Sequence, residues 1–278
     1  MATHAVHGVG RVGFAADEAG ATRLKDLYQR DPVRLLFPTP PRNEIQSAVI
    51  VTTSGGLVGG DVLSLSAQAD EDVAAQLYPQ AAEKVYRSAG ADCRIAVDLG
   101  VARGAWLEWL PQECILFDGA RLRRRTRVDA AAGARVLAGE MMVLGRRAMG
   151  ERLATGLVRE DWEVRRDGRL IWADSLVLDD DIPAIIDHPA GLNGATALGT
   201  VIYLADDGPD LRDDARALLD GLDAPGVRHG ATVVNGLLIV RFMAESPLAL
   251  RRAYGGFWGA FRQAVAGLPA ALPRLWHI

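Results

Sequence analysis

Residues 62–69, Val-Leu-Ser-Leu-Ser-Ala-Gln-Ala, alternate strictly, with Leu63, Leu65 and Ala67 on one face and Ser64, Ser66 and Gln68 on the other. A period of two is the signature of a half-buried β-strand. Similar strands are expected at 46–53, 93–98, 105–110, 121–128, 135–144 and 170–178. Three stretches, 63–78, 95–110 and 126–142, share an order of strand, small-residue turn and strand. Their second strands begin near Ala74, Ala105 and Ala134, offsets of 31 and 29 residues. A period of that size predicts stacked supersecondary units, each covering its apolar face with the next. Chance likeness is the competing account, because only the alanine recurs.

The pattern changes near the C-terminus. Leu211, Ala215, Leu218, Leu219 and Leu222 form a helical stripe over 209–222. Asn235-Gly236, between apolar runs at 231–234 and 237–244, is a hairpin signal, because a type I′ turn needs positive φ at both central residues. Ser246-Pro247 then suits the N-cap and first position of a second helix. Its stripe is Leu250, Tyr254, Phe257, Trp258, Phe261 and Val265. Gly255-Gly256 costs that helix about 1 kcal/mol per glycine, which predicts close packing there. The expected fold is mainly β: a body of stacked sheets over 1–196, then an α+β unit with two helices over 197–278. No composition break separates the two, so one continuous domain is the alternative.

Composition narrows the function. The 278 residues carry 31 basic and 35 acidic side chains, a net charge of -4, with no basic excess of the kind nucleic-acid binding requires. Cys93 and Cys114 are isolated, which argues against a disulfide framework and fits a reducing cytoplasm. No run approaches the ~20 apolar residues of a membrane span, and no secretion-type segment is read near the start.

Catalytic signatures are missing from the sequence. There is no GxxxxGK followed by Ser or Thr, no GxSxG and no HExxH. Ser54-Gly-Gly-Leu-Val-Gly-Gly-Asp61 is glycine-rich but lacks the lysine and hydroxyl of a phosphate loop. The five histidines are scattered, with His4 and His7 the nearest pair, and that pair reads as a solvated tail. Arg121, Arg123, Arg125 and Arg127 alternate on one strand face. They suit either a charged strand edge that resists aggregation or a docking surface for an acidic protein.

Several segments, in order, carry a resemblance. They are Gly-Gly-Leu-Val-Gly-Gly-Asp over 55–61, Gln-Ala-Ala-Glu-Lys-Val-Tyr-Arg-Ser over 80–88, and Leu-Glu-Trp-Leu-Pro-Gln-Glu-Cys-Ile-Leu-Phe-Asp-Gly-Ala over 107–120. Leu144-Gly-Arg146 with Met149-Gly-Glu151 and the closing Leu272-Pro-Arg-Leu-Trp276 complete the set. Together they resemble the UreD (UreH) family of urease accessory proteins. The chain departs from that family at Thr52-Thr53-Ser54, where relatives carry His-Pro-Pro, at Tyr78-Pro79, and at Glu83.

The resemblance implies a β-superhelical body with two helices, a cytoplasmic location and no catalytic step of its own. It implies binding to apo-urease structural subunits and to UreF, which recruits the GTPase UreG, so that nickel reaches the urease active site. No tightly bound cofactor is expected, only transient Ni²⁺. A conduit must release its ion, and sparse carboxylates hold Ni²⁺ less firmly than a His/Cys cage. Asp61, Glu140 and Asp174 are the candidates, with Asp61 and Asp174 expected to face a common passage and Glu113 ranked behind them. Turn capping at Asp61 and salt bridges at Glu140 and Asp174 are the structural alternatives. Tyr254, Phe257 and Trp258 are expected to contribute to a partner surface. An enzyme reading, a carbohydrate-active β-helix using paired carboxylates, and a passive adhesive β protein stand as the alternatives.

Overall fold

The computed structural model describes residues 5–277. Its first strands are β1 (His7–Ala16), β2 (Thr22–Arg30), β3 (Val33–Leu36) and β4 (Gln46–Thr52). The coils follow as β5 (Val62–Ala69), β6 (Ala74–Pro79), β7 (Glu83–Val85), β8 (Cys93–Val101), β9 (Trp106–Trp109), β10 (Glu113–Leu116), β11 (Arg121–Ala130) and β12 (Arg135–Leu144). A hairpin of β13 (Leu157–Arg166) and β14 (Arg169–Leu178) precedes the short helix α1 (Ile182–Asp187). The remainder is β15 (Ala197–Leu204), α2 (Arg212–Asp220), β16 (Val227–Val234), β17 (Leu237–Ala244) and α3 (Pro247–Ala266).

The chain winds as a β-solenoid. The first sheet has the order β14-β13-β11-β8-β5-β1-β2, and its five inner strands are parallel. The second sheet runs β16-β17-β15-β12-β9-β6-β4-β3, parallel from β4 to β12. Each coil lays one strand in the first sheet, turns, and lays the next in the second. The short strands β7 and β10 form a third side. The predicted repeat is present with a corrected register: Ala74 lies opposite Trp106 and Trp106 opposite Arg135, offsets of 32 and 29. The recurrent position is therefore the buried residue just before each second-sheet strand, Val73, Ala105 and Ala134. It must be apolar, and alanine is not required.

Two cores result. One fills the space between the sheets, and the other lies between the second sheet and the helices α2 and α3. β15 pairs with β12 over eight positions, so the second sheet runs unbroken across residue 197. Both faces of β15 are thereby covered, and its sequence Ala-Leu-Gly-Thr-Val-Ile-Tyr-Leu shows no alternation for that reason. In α3 the Ser246 hydroxyl accepts from Ala249 N, as the N-cap signal predicts. Gly139 on β12 has no room for a Cβ because the Tyr254 ring sits against it. The Tyr254 hydroxyl there donates to Thr200 O at 3.2 Å.

Candidate functional site

The glycine-rich segment forms the turn from β4 to β5. Gly55, Gly56 and Gly60 have positive φ, and a side chain at Gly56 would strike the Tyr86 ring. Asp61 is buried in this turn. Its Oδ1 accepts from Val6 N at 2.9 Å and its Oδ2 from Val58 N at 2.8 Å, so both oxygens hold backbone.

Other resembling segments meet at the same corner of the solenoid. Leu57 bridges to Val85, and Tyr86 donates to Gly55 O at 3.1 Å. Tyr86 packs edge-on against Phe117 with ring centroids 4.7 Å apart, and the Arg146 guanidinium lies 4.0 Å from the Phe117 centroid. Arg87 pairs with Asp118 at 2.5 Å, and Asp118 also accepts from Ala154 N and Thr155 N.

The most unusual chemistry lies on inward-facing positions of the first sheet. The column Leu63, Ile95, Arg124, Glu160 begins apolar and ends charged. Arg124 Nε donates to Glu160 Oε2 at 2.5 Å, and its Nη2 reaches Glu140 Oε2 at 3.3 Å from the facing sheet. Glu160 is 2 % exposed and Glu140 8 %. Burial raises Glu160 well above the usual carboxylate range, and Glu140 beside it pushes the same way against the pull of Arg124. Burial also works against the charge on Arg124, but the two carboxylates outweigh it and hold the guanidinium protonated. One cation thus faces two carboxyl groups, and the surroundings of Glu160 favour its protonated form.

Glu160 Oε1 and Trp162 Nε1 are buried without a protein partner. Both residues line a cavity of about 320 Å³ together with Glu140, Asp174, Thr200 and Arg241. At its edge Asp174 and Arg241 pair at 2.5 Å, and Arg241 donates to Thr200 Oγ1 at 2.9 Å. The structure therefore brings Glu140 and Asp174 to one cavity and places Asp61 in a different turn. Glu113 is held by Arg251. Among the described residues no group of three or more His, Cys, Asp or Glu is arranged to hold a metal ion. Cys93 and Cys114 are buried, and burial pushes both thiols up, Cys114 to about 12. His4 lies outside the described residues.

Arg124 and Glu160 were not singled out from sequence, although the signal was there. With Arg121, Arg123, Arg125 and Arg127 outward, Arg124 must point inward beside Leu122 and Thr126. The outward arginines correct a second expectation. β11 is flanked by β8 and β13, so it is no sheet edge. Arg121 and Arg123 grip Asp92 at 2.8 and 2.5 Å, Arg125 meets Asp98 at 3.2 Å, and Arg127 meets Glu163 at 3.1 Å.

Tyr254, Phe257 and Trp258 are each fully buried, which corrects the expectation of an exposed aromatic surface. α3 is covered from two sides. Its inner face meets Phe242 of β17, and the segment after α3 returns over Gly255 and Gly259 to stack Trp276 on Tyr254. A helix buried on two faces needs more aromatic surface than one packed on a single sheet. Trp258 Nε1 and Arg262 Nε also donate to the fully buried Glu108, at 3.3 and 3.0 Å, and Arg262 reaches Glu44 at 2.9 Å. The predicted close packing at Gly255 is thus present.

Fold and site define a β-solenoid with a buried carboxylate cavity and a helix-covered second sheet. The sequence matches the family model for the UreD urease accessory protein over residues 6–277. It is 45 % identical to the urease accessory protein UreD of Magnetococcus marinus over 98 % of this chain and 94 % of that one. It is 42 % identical to urease accessory protein UreD 2 of Methylorubrum populi, over 97 % and 88 %. With the UreD of Xanthobacter autotrophicus the identity is 44 %, over 96 % and 89 %. The chain belongs to the UreD family of urease accessory proteins. No helix among the described residues is long and apolar enough to cross a membrane.

Proposed function

We propose that this chain is a non-catalytic cytoplasmic scaffold that binds apo-urease and the accessory proteins UreF and UreG and passes Ni²⁺ toward the urease active site. GTP hydrolysis in that assembly belongs to UreG. The observation that supports the nickel role is the cavity lined by Glu140, Glu160 and Asp174, where carboxylate oxygens lie beside unpartnered polar atoms. Oxygen donors suit a cargo that must leave again, because Ni²⁺ binds imidazole and thiolate groups more firmly. Arg124 and Arg241 beside these carboxylates weaken cation binding further and so favour release. Glu140 and Asp174 are the proposed transient contacts. Asp61 lies in another turn with both oxygens bonded to backbone, so its proposed part is secondary.

The test is co-expression of apo-urease and its accessory proteins with the wild-type chain, with Glu140→Ala plus Asp174→Ala, and without the chain. The double variant is expected to co-purify with its partners and to leave urease poor in nickel. Full metallation with normal assembly would overturn the nickel path, and full metallation without the chain would overturn the scaffold role.

A further inference from the structure

The cavity of about 320 Å³ has two unlike walls. Its inner wall is buried: Glu140, Glu160, Trp162 and Thr200 are each at most 8 % exposed. Glu160 Oε1 and Trp162 Nε1 on that wall have no protein partner. A buried acceptor and a buried donor left in this way call for water or a small polar guest.

The wall toward solvent is built from two strands of different sheets. β14, the end strand of the first sheet, supplies Asp174 and Leu176, and β17 of the second sheet supplies Arg241 and Met243. The Arg241 guanidinium crosses the gap between them. Its Nη2 pairs with Asp174 Oδ2 at 2.5 Å, its Nη1 donates to Thr200 Oγ1 at 2.9 Å, and it lies 5.7 Å from the centroid of the Trp172 ring. The two paired side chains are 45 % and 37 % exposed, so the ion pair meets water on one side and the cavity on the other. Nearby, Asn235 Nδ2 donates to Ile171 O at 2.7 Å and ties β14 to the β16–β17 hairpin a second time. With the strand held there as well, the half-exposed Arg241 side chain is the part of the mouth that can yield.

We infer that Arg241 is the gate of this cavity and selects the charge of the cation that enters, giving up Asp174 to a divalent ion and not to a monovalent one. Arg241 offers Asp174 one positive charge, and Thr200 and Trp172 anchor it in place. A monovalent cation offers the carboxylate no more charge and has that anchorage against it. A divalent cation at the same distance doubles the Coulomb attraction, and it repels the guanidinium toward water once it holds the carboxylate. The way to Glu140 and Glu160 is then open. This inference rests on the nickel path proposed above and adds to it a specificity-determining residue.

The test follows Trp162 in the full chain, as the share of the fluorescence that Trp162→Phe removes. Ni²⁺ and Cs⁺ serve as quenchers of the wild type, Arg241→Gln and Arg241→Lys. In the wild type Ni²⁺ is expected to quench this share and Cs⁺ to leave it unchanged. Arg241→Gln should raise the Cs⁺ quenching constant roughly fivefold, the factor supplied by one unit-charge repulsion at about 4 Å in water. Arg241→Lys keeps the charge and should keep Cs⁺ out. Equal Cs⁺ quenching of the wild type and Arg241→Gln would overturn the gate. So would entry of Cs⁺ into Arg241→Lys to the same extent as into Arg241→Gln, or a wild type that Ni²⁺ does not quench. Should Arg241→Gln unfold, Arg241→Met takes its place with the same outcomes. The nickel path is read separately, from urease metallation. Quenching as expected, beside full metallation with Glu140→Ala plus Asp174→Ala, would overturn the path and leave the gate standing.

Discussion

Strand β11 carries arginines on both faces, and the two faces show opposite physics. Arg121, Arg123, Arg125 and Arg127 point outward into a ladder of ion pairs that water partly screens. Arg124 points inward, where among the described residues it is the one cation paired with Glu140 and Glu160. Neighbouring residues of one type on one strand thus differ in what their loss would cost. A surface pair that breaks is rehydrated, whereas a buried one leaves an uncompensated charge.

The largest test of that contrast is Arg124→Leu. It leaves two carboxyl groups in the core without their cation and is expected to destabilise the fold by about 3–5 kcal/mol in urea unfolding. A loss below about 1 kcal/mol would show that water reaches the pair freely.

Next is Asp61→Ala, which orphans the backbone N–H groups of Val6 and Val58 and should cost roughly 2–3 kcal/mol by the same measurement. Asp61→Asn keeps one acceptor oxygen but turns an amide N–H toward the other backbone N–H, so it should lower the unfolding midpoint as well.

The pH dependence separates the faces by sign. Glu160 holds its proton more tightly when folded than at its ordinary value of 4.5, so its contribution to stability falls as pH rises above that value. Glu160→Gln mimics the protonated form and should therefore gain relative to wild type as pH rises above 4.5. Asp92 behaves oppositely. Burial raises it, but Arg123 and Arg121 outweigh burial and hold it below its ordinary 3.8. Its contribution is present above that value and is lost as pH falls through the depressed folded value. Parallel pH profiles for Glu160→Gln and wild type would show that burial does not raise Glu160.

The smallest effect belongs to Arg127→Ala, expected to cost under about 1 kcal/mol and less still at high salt. A larger loss would mean the outer ladder acts as a network.

Part of the fold was legible because first-sheet strands such as β5, β8 and β11 are half-buried. The strand over 62–69, the hairpin at Asn235-Gly236 and the Ser246 cap follow from alternation, turn stereochemistry and capping. β15 was not legible, because a strand covered on both faces loses its period. α1 is too short for helical periodicity to register. The candidate site was half legible. Glu140 and Asp174 stood out as charges in apolar runs, and they do share a cavity. Glu160 did not, because it sits in Arg-Glu-Asp-Trp-Glu, where charges surround it in sequence and only the pleat separates inward from outward.

Tyr254, Phe257 and Trp258 mark the same limit from the other side. The helix stripe correctly placed them on one face, but stripe width does not say how many neighbours cover it. The ordered segments likewise specified the family and the coil repeat, because both reside in local residue order. Which carboxyl groups meet a buried arginine, which arginines meet water and which helix faces are covered were decided by the winding of the chain. That winding brings Glu140 and Glu160 to Arg124 across 16 and 36 residues of sequence. Burial and charge pairing are properties of the neighbours so assembled, and those neighbours exist only once the coils have stacked.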